Sequence, residues 1–535
     1  MMNSLVQFFQ NPKKLLILSF IVYLLGVLAH INDLFVYDES AFLVSSNVIT
    51  CHPPLYQNCI FLIENMFGNS EWVFRGFGVF CNLLVVFVLW KIGNKMKSSA
   101  GLFAASIYLL LPVIIQGSLI PDIDNTLLTL FLICFLYLFL FIENKKTRLV
   151  ITFVSLLILF WVKTTTPSAL ILVLLVYEWL TTKKLAEVFQ LFIVCVLSLV
   201  LFRLSLYSLS ALTGISYYSD TFAHNGVSLL HLLQQLLSVK FYLQFAYYTN
   251  IIILWSSPFL LILAFADLRN NLKNKYLLLF ILAIVFIAFP YLLIKTTAGG
   301  FPKYIYPLYT FFSLLAAFNI KQSFKVNKRL LLLGLLAFIV FYFIMGDPLK
   351  TPYVLKINLL KSVSKAMLLN LLFFYAKVYS IIAFFIFINI FIINKEQRLS
   401  GFFILFLAYC FSLNVHQGLA HYNTRYGYGE RGFTSAINYL QSQGVSCNEV
   451  LGRYDVQYYL SAKSIGFANT YEIIPSEITI EQLDKKLLIP SIKYLLLNNN
   501  DLFSNPLGKE ILLKLSSSNF HQERTFADFL LYKIN

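Results

Sequence analysis

Residues 14–35, KLLILSFIVYLLGVLAHINDLF, form a mainly apolar run that gives way to Tyr37-Asp38-Glu39-Ser40. A helix rises 1.5 Å per residue and needs about 20 mainly apolar residues to cross the ~30 Å hydrocarbon layer, so this run reads as a membrane span. Twelve more runs follow, near 73–92, 100–118, 123–142, 149–163, 168–181, 187–207, 243–266, 276–294, 304–320, 329–346, 376–393 and 399–415. The composition agrees. Hydrophobic types make up 59% of the 535 residues and charged types 12%, where an ordinary soluble domain carries about a quarter charged residues. A purely soluble protein is excluded, and the expected fold class is mainly α: a polytopic membrane helix bundle of about 13 transmembrane helices.

The formal net charge of +16 would suggest nucleic acid in a soluble protein, so its placement matters. Residues 416–535 hold eleven basic and eleven acidic side chains, which leaves 30 Lys/Arg against 14 Asp/Glu in residues 1–415. Most of that excess lies in short clusters in every second loop, hence on one side of the membrane, among them Lys13/Lys14, Lys91/Lys95/Lys97, Lys145/Lys146/Arg148 and Lys183/Lys184. Basic residues mark loops kept on the cytoplasmic side. The amino terminus is therefore expected in the cytoplasm, the carboxy-terminal part outside, and no nucleic-acid partner. Lys13 and Lys14 before an apolar stretch resemble a signal peptide, but no small-residue cleavage site follows, so the run reads as a retained anchor.

After residue 415 the charge rises and apolar runs shorten to strand length at Glu449–Gly452, Lys493–Leu497 and Phe529–Ile534. Helical patterns occupy 433–443 and 480–487, so 416–535 reads as a small extracytoplasmic α/β domain appended to a transmembrane domain, 1–415.

Chemistry concentrates in the loop 36–72 after the first span. Asp38 and Glu39 are adjacent carboxylates at a membrane surface, where they stay ionised only beside water, a cation or a metal. Such a carboxylate can take a proton from an attacking hydroxyl, or it can simply solvate a helix end. Next come His52-Pro53-Pro54-Leu55-Tyr56, in which paired prolines fix the backbone, and Arg75 at the start of the second span. Cys51 and Cys59 share this loop as a disulfide or as two thiols. Asp122 and Asp124 open the fourth span, where helix capping accounts for one of them. Lys303-Tyr304-Ile305-Tyr306-Pro307 precedes a later span. Lys295 and Lys303 are cations that either meet an anion or reach for headgroups.

In these elements the chain resembles the C-type glycosyltransferases (GT-C) of the protein O-mannosyltransferase and lipid A aminoarabinose-transferase kind. That family carries an acidic pair after its first helix, a (Lys/His)-Pro-Pro-Leu segment, an arginine starting its second helix, an Asp leading into its fourth, and a basic-Tyr-x-x-Pro element. Here these are Asp38-Glu39, His52–Leu55, Arg75, Asp122 to Asp124, and Lys303–Pro307. His52 stands where relatives often have Lys, and Lys303 where they often have Arg.

The resemblance implies a GT-C fold and an integral-membrane glycosyltransferase. Its donor would be a polyprenyl-phosphate sugar, its acceptor a lipid, glycan or protein on the extracytoplasmic face, and its outcome inversion at the anomeric carbon. It implies Asp38 as general base, with Glu39 positioning the acceptor or a metal. Arg75, Lys303, Lys295 and Tyr304 would hold the donor phosphate, and His52, Tyr56, Asp122 and Asp124 would bind substrate. No cofactor is certain; a divalent metal ion on Asp38, Glu39, Asp122 or Asp124 is left open. The rival class, a lipid-linked sugar flippase or transporter, would place ionisable residues inside spans, whereas most charges here sit at span ends, Glu178 and Arg203 being partial exceptions.

Overall fold

The computed structural model describes residues 2–34, 52–215, 217, 239–293, 302–320, 324–346, 348–349, 365–419, 432–461, 470–475, 478–499, 502, 505, 507–517 and 519–534. Each of the thirteen apolar runs contains a helix. Among the described residues seven helices are long and apolar enough to span a membrane, or ten if each of three bent pairs is one span. Lys275–Tyr291 and Leu308–Ile320 are shorter apolar helices, so length and composition alone do not establish the expected thirteen.

The bent pairs share a cause. Ser4–Gln10 meets Pro12–Leu28 at 88°, Ala100–Leu110 meets Pro112–Leu119 at 64°, and Tyr248–Ser256 meets Pro258–Phe265 at 87°. A proline at the first helical position lacks the N–H that would continue the preceding helix, and its ring clashes with the carbonyl four residues back. Such breaks leave carbonyls without helical donors, and one helix, Arg398–Leu419, reaches two of them: the Tyr409 hydroxyl donates to the Leu254 carbonyl at 2.8 Å, and Asn414 Nδ2 to that of Leu110 at 2.9 Å. Leu254 is the residue four before Pro258, whose missing donor the tyrosine replaces.

The first span also ends early. Its helix stops at Leu28 rather than near residue 35, because His30, Asn32 and Asp33 interrupt the apolar run and the His30 ring meets the Asp33 carboxylate at 2.9 Å.

Helices Ala100–Leu110, Pro112–Leu119 and Leu308–Ile320 are buried almost all round and form the centre of the bundle, while Leu185–Thr213 turns Phe189, Phe192, Leu204 and Tyr207 outward. A helix apolar on every face belongs in a core or in lipid, and the bundle uses both. The crossing of Glu71–Met96 with Ala100–Leu110 depends on two glycines: a Cβ on Gly93 would lie 2.5 Å from Gly101 Cα. Small residues let membrane helices approach backbone to backbone.

Beyond Leu419 the described chain forms a four-stranded sheet, β1 (Val450–Leu451), β2 (Tyr494–Asn498), β3 (Phe520–Phe526) and β4 (Phe529–Ile534), in the order β1-β2-β4-β3. β1 and β2 are parallel; β2–β4 and β3–β4 are antiparallel. Strand side chains alternate faces, so Leu451, Leu495, Leu497 and Tyr532 build one core with helices Ile480–Leu487 and Gly508–Ser517. Val450, Leu496, Phe529 and Leu531 face helix Phe433–Ser442 and join the large core of the bundle.

Candidate active site

The described site residues gather at one end of the bundle. Helix Asp124–Phe141 opens with a wide π-helical turn, Asp124–Leu128, directly after Pro121 and Asp122. Asp122 Oδ1 accepts from the backbone N–H of Asp124 at 3.0 Å, and the Thr126 hydroxyl donates to the Asp122 carbonyl at 2.7 Å. Asp122 is thus the carboxylate that caps the turn, while Asp124 has other work.

Two lysines meet these carboxylates. Lys303 Nζ donates to Asp122 Oδ2 at 3.1 Å, and Lys163 Nζ lies 2.7 and 2.6 Å from the two Asp124 oxygens. All four side chains are buried. A carboxylate removed from water stays charged only beside a compensating cation, and each has one. Tyr291 and Tyr304 stack nearly parallel, ring centres 5.5 Å apart. Lys163 lies over both rings, at 5.4 and 4.7 Å, and Lys303 lies 5.3 Å from Tyr304, so aromatic faces supply further negative potential to both ammoniums.

The turn carrying Lys303 is fastened by its neighbour. The Tyr306 hydroxyl donates to Asn82 Oδ1 at 2.9 Å, that of Tyr108 to the same oxygen at 2.7 Å, and Asn82 Nδ2 donates to the Asn125 carbonyl at 3.1 Å. One amide therefore links the Lys303 turn to the Asp124 turn. The ring of Tyr306 fills the space a side chain would take at Gly117: a Cβ there would lie 2.1 Å from ring carbon Cε2. Gly117→Ala should destabilise the protein by about 1–3 kcal/mol through overpacking. The check is a lowered unfolding midpoint of the purified protein, with Gly76→Ala, where nothing lies within 4 Å, staying at or above the native midpoint.

Arg75 does not stand as an open cation. It is fully buried; its Nε donates to the Leu119 carbonyl at 3.1 Å, and its Nη1 to the carbonyls of Ile31, at 3.0 Å, and Asp33. A guanidinium offers five N–H donors in a fixed fork. Here the fork ties the end of the first span to the residues just before Asp122. Tyr56, also buried, lies in helix Leu55–Phe67 within electrostatic range of Asp122, and His52 is half-buried just before that helix.

Asp38, Glu39, Lys295 and Cys51 lie outside the described residues. Arg203 is exposed on the peripheral helix Leu185–Thr213, and Glu178 is paired with Arg148 at 3.1 Å. Among the described residues no three His, Cys, Asp or Glu side chains are grouped to hold a metal. At Asp122 and Asp124 an ammonium already occupies the place a cation would take.

Sequence reasoning missed Lys163, Tyr291 and Asn82. Lys163 ends an apolar run, where reaching for headgroups is the default explanation. Its signal was its side: it closes the helix that Lys145, Lys146 and Arg148 open, so it is a lone basic residue at the end opposite a basic cluster.

Residues 51–207 match the family model described as dolichyl-phosphate-mannose-protein mannosyltransferase. No curated protein matches in sequence. The crystal structure of ArnT from Cupriavidus metallidurans bound to undecaprenyl phosphate superposes with a TM-score of 0.59 at 13% identity, over 97% of each chain. The apo state of the same protein gives 0.58 at 13% identity, over 97% of this chain and 96% of that one. The chain is therefore a multi-pass membrane protein with an ArnT-like GT-C fold, and its residues 51–207 match the dolichyl-phosphate-mannose-protein mannosyltransferase family model.

Proposed function

We propose that this chain transfers a sugar from a polyprenyl phosphate to a lipid, glycan or protein acceptor at the extracytoplasmic face. The observation that carries the reading is the buried quartet Asp122, Asp124, Lys163 and Lys303 beside two stacked tyrosines, which holds two ammonium groups in fixed positions and so supports a role in meeting a lipid phosphate. The quartet lies at the ends of its helices remote from the Lys145/Lys146/Arg148 cluster, which supports an extracytoplasmic site.

Asp38 removes the proton of the acceptor hydroxyl as that oxygen attacks the anomeric carbon. The bond from that carbon to the phosphate oxygen breaks, and the polyprenyl phosphate departs with the electron pair. One displacement inverts the anomeric carbon. Charge grows on the leaving phosphate, and a cation fixed in advance stabilises it more in that state than in the bound donor. Lys303 is the described residue suited to this, since an ammonium has three donors and can hold Asp122 and a phosphate oxygen together. Tyr304 beneath it, and Lys295, complete the phosphate side. His52 and Tyr56 line the substrate side, and Glu39 positions the acceptor. Arg75 acts indirectly: by gripping the carbonyls of Ile31 and Asp33 it fixes the end of the first span, which precedes Asp38 in the sequence.

The test is transfer in proteoliposomes supplied with radiolabelled polyprenyl-phosphate sugars and membrane-extracted acceptors. Lys303→Ala should lower transfer about 10²–10³-fold, the usual cost of losing one preorganised donor to developing negative charge. Native-level transfer by that variant would remove Lys303 from the phosphate site. Lipid-linked sugar crossing the bilayer without transfer would favour a flippase.

A further inference from the structure

The sheet domain touches the bundle through two neighbouring tyrosines. Helix Tyr454–Leu460 presents Tyr458 and Tyr459. The Tyr459 hydroxyl donates to Glu71 Oε1 at 3.0 Å, and that of Tyr458 to Asn69 Oδ1 at 3.5 Å. Asn69 Nδ2 in turn donates to Glu64 Oε1 at 2.8 Å, which draws in helix Leu55–Phe67. The grip has a firm base: the Tyr459 ring packs edge-on against Phe433 at 6.0 Å, Phe433 meets Phe529 of β4 at 5.5 Å, and the Arg453 guanidinium, paired with Asp455, lies over Phe529.

Glu71 is the first residue of the helix whose next turn carries Arg75, and residues four apart share a helix face. We infer that Tyr459 is a positioning residue: through Glu71 it sets the start of that helix, hence the reach of Arg75 to the Ile31 and Asp33 carbonyls at the end of the first span. The inference rests on the transferase reading for its catalytic consequence but not for its geometry. A phenol hydrogen bond to a carboxylate is charge-assisted and directional, so removing one hydroxyl should loosen this corner while the ring contact with Phe433 persists.

Two measurements on the full-length protein test it. Hydrogen–deuterium exchange at backbone amides 68–75 should quicken in Tyr459→Phe and in Glu71→Ala but stay native in Glu71→Gln, whose amide oxygen still accepts from the phenol. In transfer assays, Tyr459→Phe should lower kcat about ten-fold with KM for the polyprenyl-phosphate sugar unchanged, as the loss of one charge-assisted hydrogen bond implies. Glu71→Gln should restore kcat to near native, and Tyr459→Phe with Glu71→Ala together should be no worse than either alone. Native exchange in Tyr459→Phe, or a rise in KM at constant kcat, overturns the inference. If the native chain transfers no sugar from any donor, the transferase reading falls, and the exchange measurement still decides whether Tyr459 sets this corner.

Discussion

Lys163→Met is expected to destabilise the protein by about 3–5 kcal/mol, the cost of leaving one member of a buried ion pair without its partner. The residue left behind is Asp124, buried and otherwise held on both oxygens by the ammonium. Methionine keeps most of the volume, so the loss reports charge rather than a cavity. Asp124→Leu alone should cost a similar amount, because Lys163 then sits charged against two tyrosine rings. The double substitution Lys163→Met with Asp124→Leu should recover much of the loss, since an apolar pair can replace a buried salt bridge at little cost. The measurement is the unfolding midpoint of each detergent-solubilised variant. A Lys163→Met midpoint equal to native would refute the assignment of Lys163 as the counter-charge of Asp124.

Asp38→Asn should abolish nearly all transfer. An amide cannot accept the acceptor's proton, and a positioned general base contributes about 10²–10⁴-fold in rate. Binding of the donor lipid should persist, because the phosphate is assigned to Lys303, Tyr304 and Lys295 on other elements of the chain. The proteoliposome assay, paired with retention of labelled polyprenyl phosphate, separates these effects. Full transfer by Asp38→Asn would take the proton-accepting role away from Asp38; transfer and binding lost together would make it a donor-site residue instead.

The spans were legible because an apolar run of membrane length needs no knowledge of its neighbours, and all thirteen runs carry helices. Their breaks were written in Pro112 and Pro258 but passed over, since hydropathy averaged over a window does not register one missing N–H. In the sheet domain, Val450–Leu451, Tyr494–Asn498 and Phe529–Ile534 stood out as apolar runs. β3, FHQERTF, did not, because it pairs only with β4 and exposes His521, Gln522, Arg524 and Thr525, so its composition is that of a loop.

At the site, residue type was readable and partnership was not. Asp122, Asp124 and Lys303 are recognisable as polar groups at span ends, yet 181 residues separate Lys303 from Asp122, and only packing brings them together. Arg75 shows the converse: its place at the head of a helix was plain, but that its donors go to backbone carbonyls depends on where the first and third spans end.

The helix that reaches two of the three bent pairs comes last in the bundle. Until Arg398–Leu419 is made, the carbonyls of Leu110 and Leu254 lack the Asn414 and Tyr409 donors that meet them in the finished fold. A bare carbonyl at membrane depth costs several kcal/mol, so the bent forms of these two spans gain stability from the packing of that final helix. The final helix of the bundle is thus also the one that completes the hydrogen bonding at both breaks.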